Sequence, residues 1–114
     1  MFSQKAVHVG DTDNAEAIMQ NREAKICKSI GEQKVQWNGS IEEWRDFAAE
    51  KLRTANYAKY SQNEGLRKIL FATYPKILFE TNPKDSFWGI GLKKRDKDIH
   101  DASNWNGKNT MGFL

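Results

Sequence analysis

No proline occurs before Pro75. Inside a helix a proline removes a backbone donor and clashes with the preceding turn, at a cost of about 3 kcal/mol or more, so little breaks a helix anywhere up to Ala72. Helix boundaries can then be read from capping residues. Asp13 offers a first-turn cap for a helix within Asp11 to Met19. Asn21 can cap a second helix through Lys25, Ile26 and Ile30, closed by Gly31 at the C′ position, where positive φ is favoured. Ser40-Ile41-Glu42-Glu43 has the capping-box pattern, with Ser40 as N-cap and Glu43 as N3. Behind it Trp44, Phe47, Ala48, Leu52, Ala55 and Tyr60 recur at near-helical spacing and predict a long amphipathic helix. Asn63 caps one more helix, with Leu66, Ile69 and Leu70 as its inner stripe.

Beyond Pro75 the character changes. Lys76-Ile77-Leu78-Phe79-Glu80 is short and apolar and reads as a strand. From Thr81 to Gly107 Asn, Pro, Asp, Gly and Trp follow with no sustained period. Long irregular segments in compact domains are usually functional or disordered, and Trp88 and Trp105 weigh against disorder. The expectation is one predominantly helical α+β domain over residues 1–114.

Hydrophobic residues make up 39% of the chain and charged residues 29%, the balance of a soluble globular protein. No apolar run approaches the roughly 18 residues of a membrane span, and no basic-then-apolar leader opens the sequence. Cys27 is the single cysteine and cannot form an internal disulfide. These features predict a cytoplasmic protein. A net charge of +3 and a pI near 9.0 would suit anionic ligands such as nucleotides, and admit nucleic acid. The only tight basic cluster, Lys93-Lys94-Arg95, is followed by Asp96 and Asp98 and reads as a solvated loop.

His8 and His100 are far apart, and neither has a second His or a Cys at ligand spacing. Asp11 and Asp13 begin like a calcium loop, but Ala15 and Glu16 break the pattern, so no metal is expected. Cys27 lies on the apolar side of its helix and reads as a small core residue. Gly89-Ile90-Gly91 lacks the third glycine of a dinucleotide fingerprint.

Asn82-Pro83-Lys84-Asp85-Ser86-Phe87-Trp88-Gly89-Ile90-Gly91 places an acid, an aromatic platform and two glycines together. A nucleoside or glycoside could use all three, the glycines letting main chain approach the ligand. The same residues could also form a β-turn whose Trp plugs the core. Lys5, between Phe2 and Val7, could run its stem along apolar surface, which would lower its pKa and favour nucleophilic use. It could equally be a surface charge.

Taken in order, these pieces resemble the NADAR family, N-glycosidases that include the swarming-motility protein and the riboflavin-intermediate glycosidases. The resemblance rests on Met1-Phe2-Ser3-Gln4-Lys5-Ala6, Asp11 with the Ala15 to Met19 helix, Ala24-Lys25 with Gly31, and Lys59-Tyr60-Ser61-Gln62-Asn63 with Leu66, Leu70 and Ala72-Thr73. It continues through Glu80, Asn82-Pro83, Asp85, Trp88-Gly89-Ile90-Gly91 and Trp105-Asn106-Gly107-Lys108-Asn109 to Met111-Gly112. It implies a mainly helical α+β domain that cleaves a ribose C1–N bond without metal or organic cofactor. The substrates implied are ribosylamino-pyrimidine phosphates of early riboflavin biosynthesis or ADP-ribose attached to guanine, with ADP-ribosylated nucleic acid as a further partner and no membrane. By the same resemblance Lys5 would form a Schiff base with the opened ribose and Asp85 would act as acid/base. Gln4, Glu80, Trp88, Gly89, Gly91 and Asn109 would bind substrate, with Glu80 and Asn109 alternatively anchoring the loop.

Three departures accompany it. Family members carry tens of residues before the Gln-Lys-Ala motif, with a glutamate a few positions upstream, so the fold is expected to lack N-terminal strands. Members also usually continue the last helix beyond the position of Leu114. An arginine commonly follows the glycine matching Gly31, where this chain has Glu32. The alternatives to catalysis are a catalytically weakened module that binds ADP-ribose or a nucleotide, and a basic protein that binds nucleic acid.

Overall fold

Asp11 carries a side chain that folds back onto the backbone three residues ahead. Its Oδ1 accepts from Asn14 N at 3.1 Å and its Oδ2 from Asn14 Nδ2 at 2.8 Å. Those bonds hold the Asp11 carboxyl below its usual range. The helix therefore begins at Thr12 with Asp11 as N-cap, and the expected cap, Asp13, lies inside the first turn. Such local choices produce a helical chain. The computed structural model describes residues 1–114 except the side chain of Asp98. Its helices are α1 (Phe2–His8), α2 (Thr12–Gln20), α3 (Ala24–Gln33), α4 (Ile41–Gln62), α5 (Glu64–Phe71) and α6 (Thr110–Phe113), with 3-10 turns at Lys97–His100 and Ala102–Asn104. Two compact units divide within α4, Met1–Thr54 and Ala55–Leu114.

In the first unit Ala6, Ala15, Ile18 and Val35 form the buried centre, with Phe2, Val9, Cys27 and Ile30 packed against it. Cys27 is half-buried, and its Sγ donates to Ile18 O and Asn21 O at 3.5 Å each. Gly31 does not end α3, which continues to Gln33. The Phe2 ring lies over Gly31 and would collide with any Cβ there, so the glycine answers a packing demand from α1 rather than a turn. Asn21 does not cap α3 either. Its Oδ1 accepts from Glu23 N at 2.8 Å, and Glu23 is the N-cap. The capping box at α4 forms as the pattern predicts: Glu43 N donates to Ser40 Oγ at 3.1 Å and Ser40 N donates to Glu43 Oε2 at 2.6 Å.

In the second unit Arg67 Nη1 donates to Tyr60 O at 3.2 Å and Ser61 O at 2.8 Å, tying the end of α4 to α5. Asn63 is the N-cap of α5, but its Nδ2 turns back to Lys59 O at 2.7 Å. The expected inner stripe of α5 is corrected as well: Leu66 and Ile69 are 39% and 68% exposed. Periodicity makes a helix amphipathic but does not supply a partner for its apolar face.

The α+β expectation fails at Lys76–Glu80. Among the described residues there is no strand, and this segment is irregular. Two of its backbone groups are met by one side chain instead of a neighbouring strand. Glu80 N donates to Asn109 Oδ1 at 3.0 Å, and Asn109 Nδ2 donates to Leu78 O at 2.9 Å. Buried backbone groups must be paired, and a carboxamide can satisfy a donor and an acceptor at once. Among the described residues no helix is long and apolar enough to cross a membrane.

Candidate active site

In the second unit the segment 86–90 is clamped by 106–111. Asn106 N donates to Ile90 O, Lys108 N to Ser86 O, Asn109 N to Gly89 O, Thr110 N to Phe87 O and Met111 N to Trp88 O, all between 2.8 and 3.1 Å. Asn109 holds the centre. It is fully buried, sits at φ 53° and joins Glu80, Leu78, Gly89 and Gly112 through its amide and backbone. Asn tolerates this left-handed region better than most residues. The Glu80 carbonyl accepts from Ile90 N at 2.9 Å while the residue itself is exposed.

Asp85 is half-buried, and its Oδ1 accepts from Phe87 N at 3.0 Å and Trp88 N at 2.8 Å. This local turn aims the following aromatic residues. Trp88 is half-buried and meets Phe87 edge-on, with ring centroids 4.7 Å apart. Gly89 is buried, and a Cβ there would press against Glu80 O and Asp85 O at 3.0 and 3.1 Å. The close approach it permits is thus one of protein backbone to protein backbone. Gly91 has φ +71° and abuts Asn106. Six of the candidate residues, Glu80, Asp85, Trp88, Gly89, Gly91 and Asn109, therefore belong to one stapled loop.

Lys5 and Gln4 lie in the first unit on α1. Gln4 is exposed, whereas Lys5 is 7% exposed. Lys5 Nζ donates to Gly31 O at 2.7 Å and Val35 O at 2.8 Å, and lies 5.0 Å from the centroid of the Trp44 ring. Burial lowers its pKa from the ordinary 10.5, and the Glu32 carboxylate partly opposes that by favouring the ammonium. A neutral amine has two N–H groups. With both directed to carbonyls, the one remaining position on nitrogen is its lone pair, the nucleophilic lobe.

Sequence reasoning missed a second group in this unit. His8 lies one helical turn beyond Lys5 on α1, and its ring stacks on Trp37 with centroids 5.0 Å apart and 17° between planes. Trp37, Trp44 and Phe47 complete the aromatic cluster. A cleft of about 440 Å³ is lined by His8, Trp37 and Phe47 with Glu43 and Asp46. The i, i+3 spacings of Lys5 with His8 and of Glu43 with Asp46 were the available signals. Each had an ordinary explanation in helix capping or packing. Among the described residues no three of His, Cys, Asp and Glu come together to hold a metal ion.

The first unit of this helical chain thus carries a buried amine on its first helix, and the second carries an asparagine-stapled loop. The whole chain, residues 1–114, matches the NADAR domain, and it belongs to the NADAR family. Protein irg-1 of Caenorhabditis elegans is 37% identical over 108 residues, which is 95% of this chain and 51% of that protein. N-glycosidase R617 of Acanthamoeba polyphaga mimivirus is 33% identical over 113 residues, 98% of this chain and 65% of that protein. N-glycosidase YbiA of Escherichia coli (strain K12) is 32% identical over 71 residues, 62% of this chain and 38% of that protein. The chain spans between about half and two thirds of the length of the first two of these relatives. No solved structure matches it.

Proposed function

We propose that the protein is an N-glycosidase that hydrolyses the C1–N bond of a ribosylated base, with Lys5 as nucleophile. The observation that carries this reading is the Lys5 amine, buried, held by two carbonyls and lowered in pKa by burial. Relatives named N-glycosidase support it. In this scheme Lys5 Nζ bonds to C1 of the ring-opened sugar, and the C1–N bond to the base breaks as the base takes a proton. Water then adds to C1 of the resulting Schiff base, the C1–Nζ bond breaks, and the amine and free sugar are restored. No oxidant, metal or cofactor is needed for this balance.

Asp85 is proposed as the acid/base that moves the proton. Its Oδ1 is engaged by the turn, which leaves Oδ2 to exchange one. Trp88, Gln4, Glu80 and Gly91 are proposed ligand contacts, and Asn109 and Gly89 act in the proposal by shaping the loop. The substrate class is a ribosylamino-pyrimidine phosphate of the riboflavin pathway or ADP-ribosylated guanine, including guanine in nucleic acid. A cytoplasmic location fits the single cysteine.

The test is base release from both substrate types by the wild type, Lys5→Ala and Asp85→Ala, with borohydride trapping of a sugar adduct followed by mass spectrometry. Both variants are expected to lose at least a hundredfold in kcat, on the order of general acid–base and nucleophilic contributions. Undiminished turnover by Lys5→Ala would refute the mechanism. A second reading is a catalytically weakened module that binds ADP-ribose or a nucleotide. Glu32 favours it, because its charge works against a neutral Lys5. Calorimetric affinity for ADP-ribose without product on long incubation would select it.

A further inference from the structure

Glycine is the poorest helix former after proline, yet Gly31 sits buried inside α3. Its φ is not in the left-handed region, which among the described glycines belongs to Gly10 and Gly91. Backbone conformation therefore does not require a glycine here, and the space around it does. A Cβ at position 31 would meet the Phe2 ring and, at 2.6 Å, the Phe2 Cβ as well. Rotating the Phe2 side chain moves the ring but not its Cβ. Only a shift of α1 away from α3 would relieve the contact.

That separation matters because Lys5 spans it. Lys34 N and Val35 N both donate to Ile30 O. Lys5 Nζ takes the next carbonyl along, Gly31 O, at 2.7 Å, and Val35 O at 2.8 Å. The last carbonyls of a helix have no partner within it, so this amine completes the end of α3 from a neighbouring helix. Phe2 also braces the other wall around Lys5. Its ring stacks on Trp44, with centroids 6.4 Å apart and 22° between planes, and the Trp44 centroid lies 5.0 Å from Nζ. One ring thus supports both a carbonyl and an aromatic face that the amine meets. Across this interface Glu32 supplies the charge from α3, while Trp44 brings a ring from α4.

We propose that Gly31 and Phe2 are positioning residues for Lys5. The bare Cα of Gly31 and the ring seated on it set the α1–α3 distance at which both carbonyls hold Nζ and leave its lone pair free. Neither residue touches the reacting atoms; each acts through Lys5, and the role in catalysis rests on the N-glycosidase reading. Attack on C1 needs the amine aligned at about 3–3.5 Å, and a misplacement of about 1 Å can cost on the order of a hundredfold in rate. A displaced amine leaves the rest of the ligand contacts in place, so the loss falls on kcat rather than on KM.

Gly31→Ala, Phe2→Ala and Phe2→Leu test this in the intact chain. Kinetics use whichever of the two substrates proposed above the wild type turns over. Gly31→Ala and Phe2→Ala should each lose roughly tenfold or more in kcat with KM within about twofold. Phe2→Leu keeps the Cβ and an apolar filling, and should recover most of the Phe2→Ala loss. An NMR titration of lysine labelled with 13C at Cε reads Lys5 without turnover. Loosened packing hydrates the amine, so its midpoint should move up toward the ordinary range in Gly31→Ala and Phe2→Ala and stay low in Phe2→Leu. Where Gly31→Ala does not fold, the two Phe2 variants carry the same comparison. Wild-type kcat in a folded Gly31→Ala or Phe2→Ala, a loss confined to KM, an unmoved Lys5 midpoint, or no recovery in Phe2→Leu overturns the proposal. Lys5→Ala separates it from the reading beneath. Turnover lost there but unchanged in Gly31→Ala and Phe2→Ala defeats the positioning and leaves the nucleophile. Turnover retained there defeats the nucleophile, and with it any catalytic role for Gly31 and Phe2, while a midpoint that moves in both variants still supports the packing that holds Lys5.

Discussion

Lys5 experiences two opposing influences on its charge, and Glu32 is the one a single substitution removes. Burial favours the neutral amine and the Glu32 carboxylate favours the ammonium. The free amine is the nucleophile in the proposed reaction, so kcat/KM should rise with pH along the titration of Lys5. Glu32→Gln takes away the opposing charge and should move that rising limb to lower pH. Glu32→Arg should move it further, because a cation nearby disfavours a second one. A full pH–rate profile of the three forms checks this, and a limb that does not move with residue 32 counts against Lys5 as the titrating group. Asn109 is a residue of another kind, since its side chain replaces strand pairing for Leu78 and Glu80. Asn109→Ala should destabilise the chain by about 2–4 kcal/mol, the cost of leaving a backbone donor and acceptor unmet. Asn109→Gly accepts φ 53° freely, so a comparable loss in that variant assigns the effect to the side-chain staple. Urea unfolding of the two variants gives the comparison.

At the scale of elements, legibility followed the range of the controlling interaction. The α4 start was readable because Ser40 and Glu43 bond to each other's backbone three residues apart. Ser40→Ala should cost about 1 kcal/mol in thermal or urea unfolding, whereas Glu43→Gln should cost little because glutamine can fill the same N3 role. The end of α3 was misread because the reason for Gly31 is the Phe2 ring, 29 positions away by number. Lys76–Glu80 was misread for the same cause: its apolar run suits a strand, but Leu78 O and Glu80 N are met by the Asn109 side chain. The candidate loop was legible as a loop from its Asn, Pro, Asp, Gly and Trp content. Its internal clamp between 86–90 and 106–111 was not, since backbone hydrogen bonds carry no residue signature. The burial of Lys5 likewise depends on α3 and Val35 closing over α1, which a hexapeptide cannot display.

For the whole molecule, the lowered pKa of Lys5 makes folding a proton-linked equilibrium. The folded chain releases the Lys5 proton below the ordinary 10.5 at which an unfolded chain would. Between those two points the unfolded state holds more protons, so stability must rise with pH across that window. Below the folded pKa both states carry the charge, and the full cost of burying an ammonium remains. Above 10.5 both are neutral and the cost is gone. Many other groups titrate over the same range, so the wild-type curve alone cannot isolate this linkage. Lys5→Met supplies the reference: it keeps an unbranched apolar stem and removes the titrating group. That variant also leaves Gly31 O and Val35 O without their donor, which lowers its stability by an offset that does not depend on pH. The informative quantity is therefore the slope of the difference. Wild type minus Lys5→Met, from urea unfolding at a series of pH values up to about 10.5, should become steadily more favourable to the wild type as pH rises. A flat difference would mean that Lys5 keeps an ordinary pKa in the folded chain, and the case that burial favours its neutral amine would fall with it.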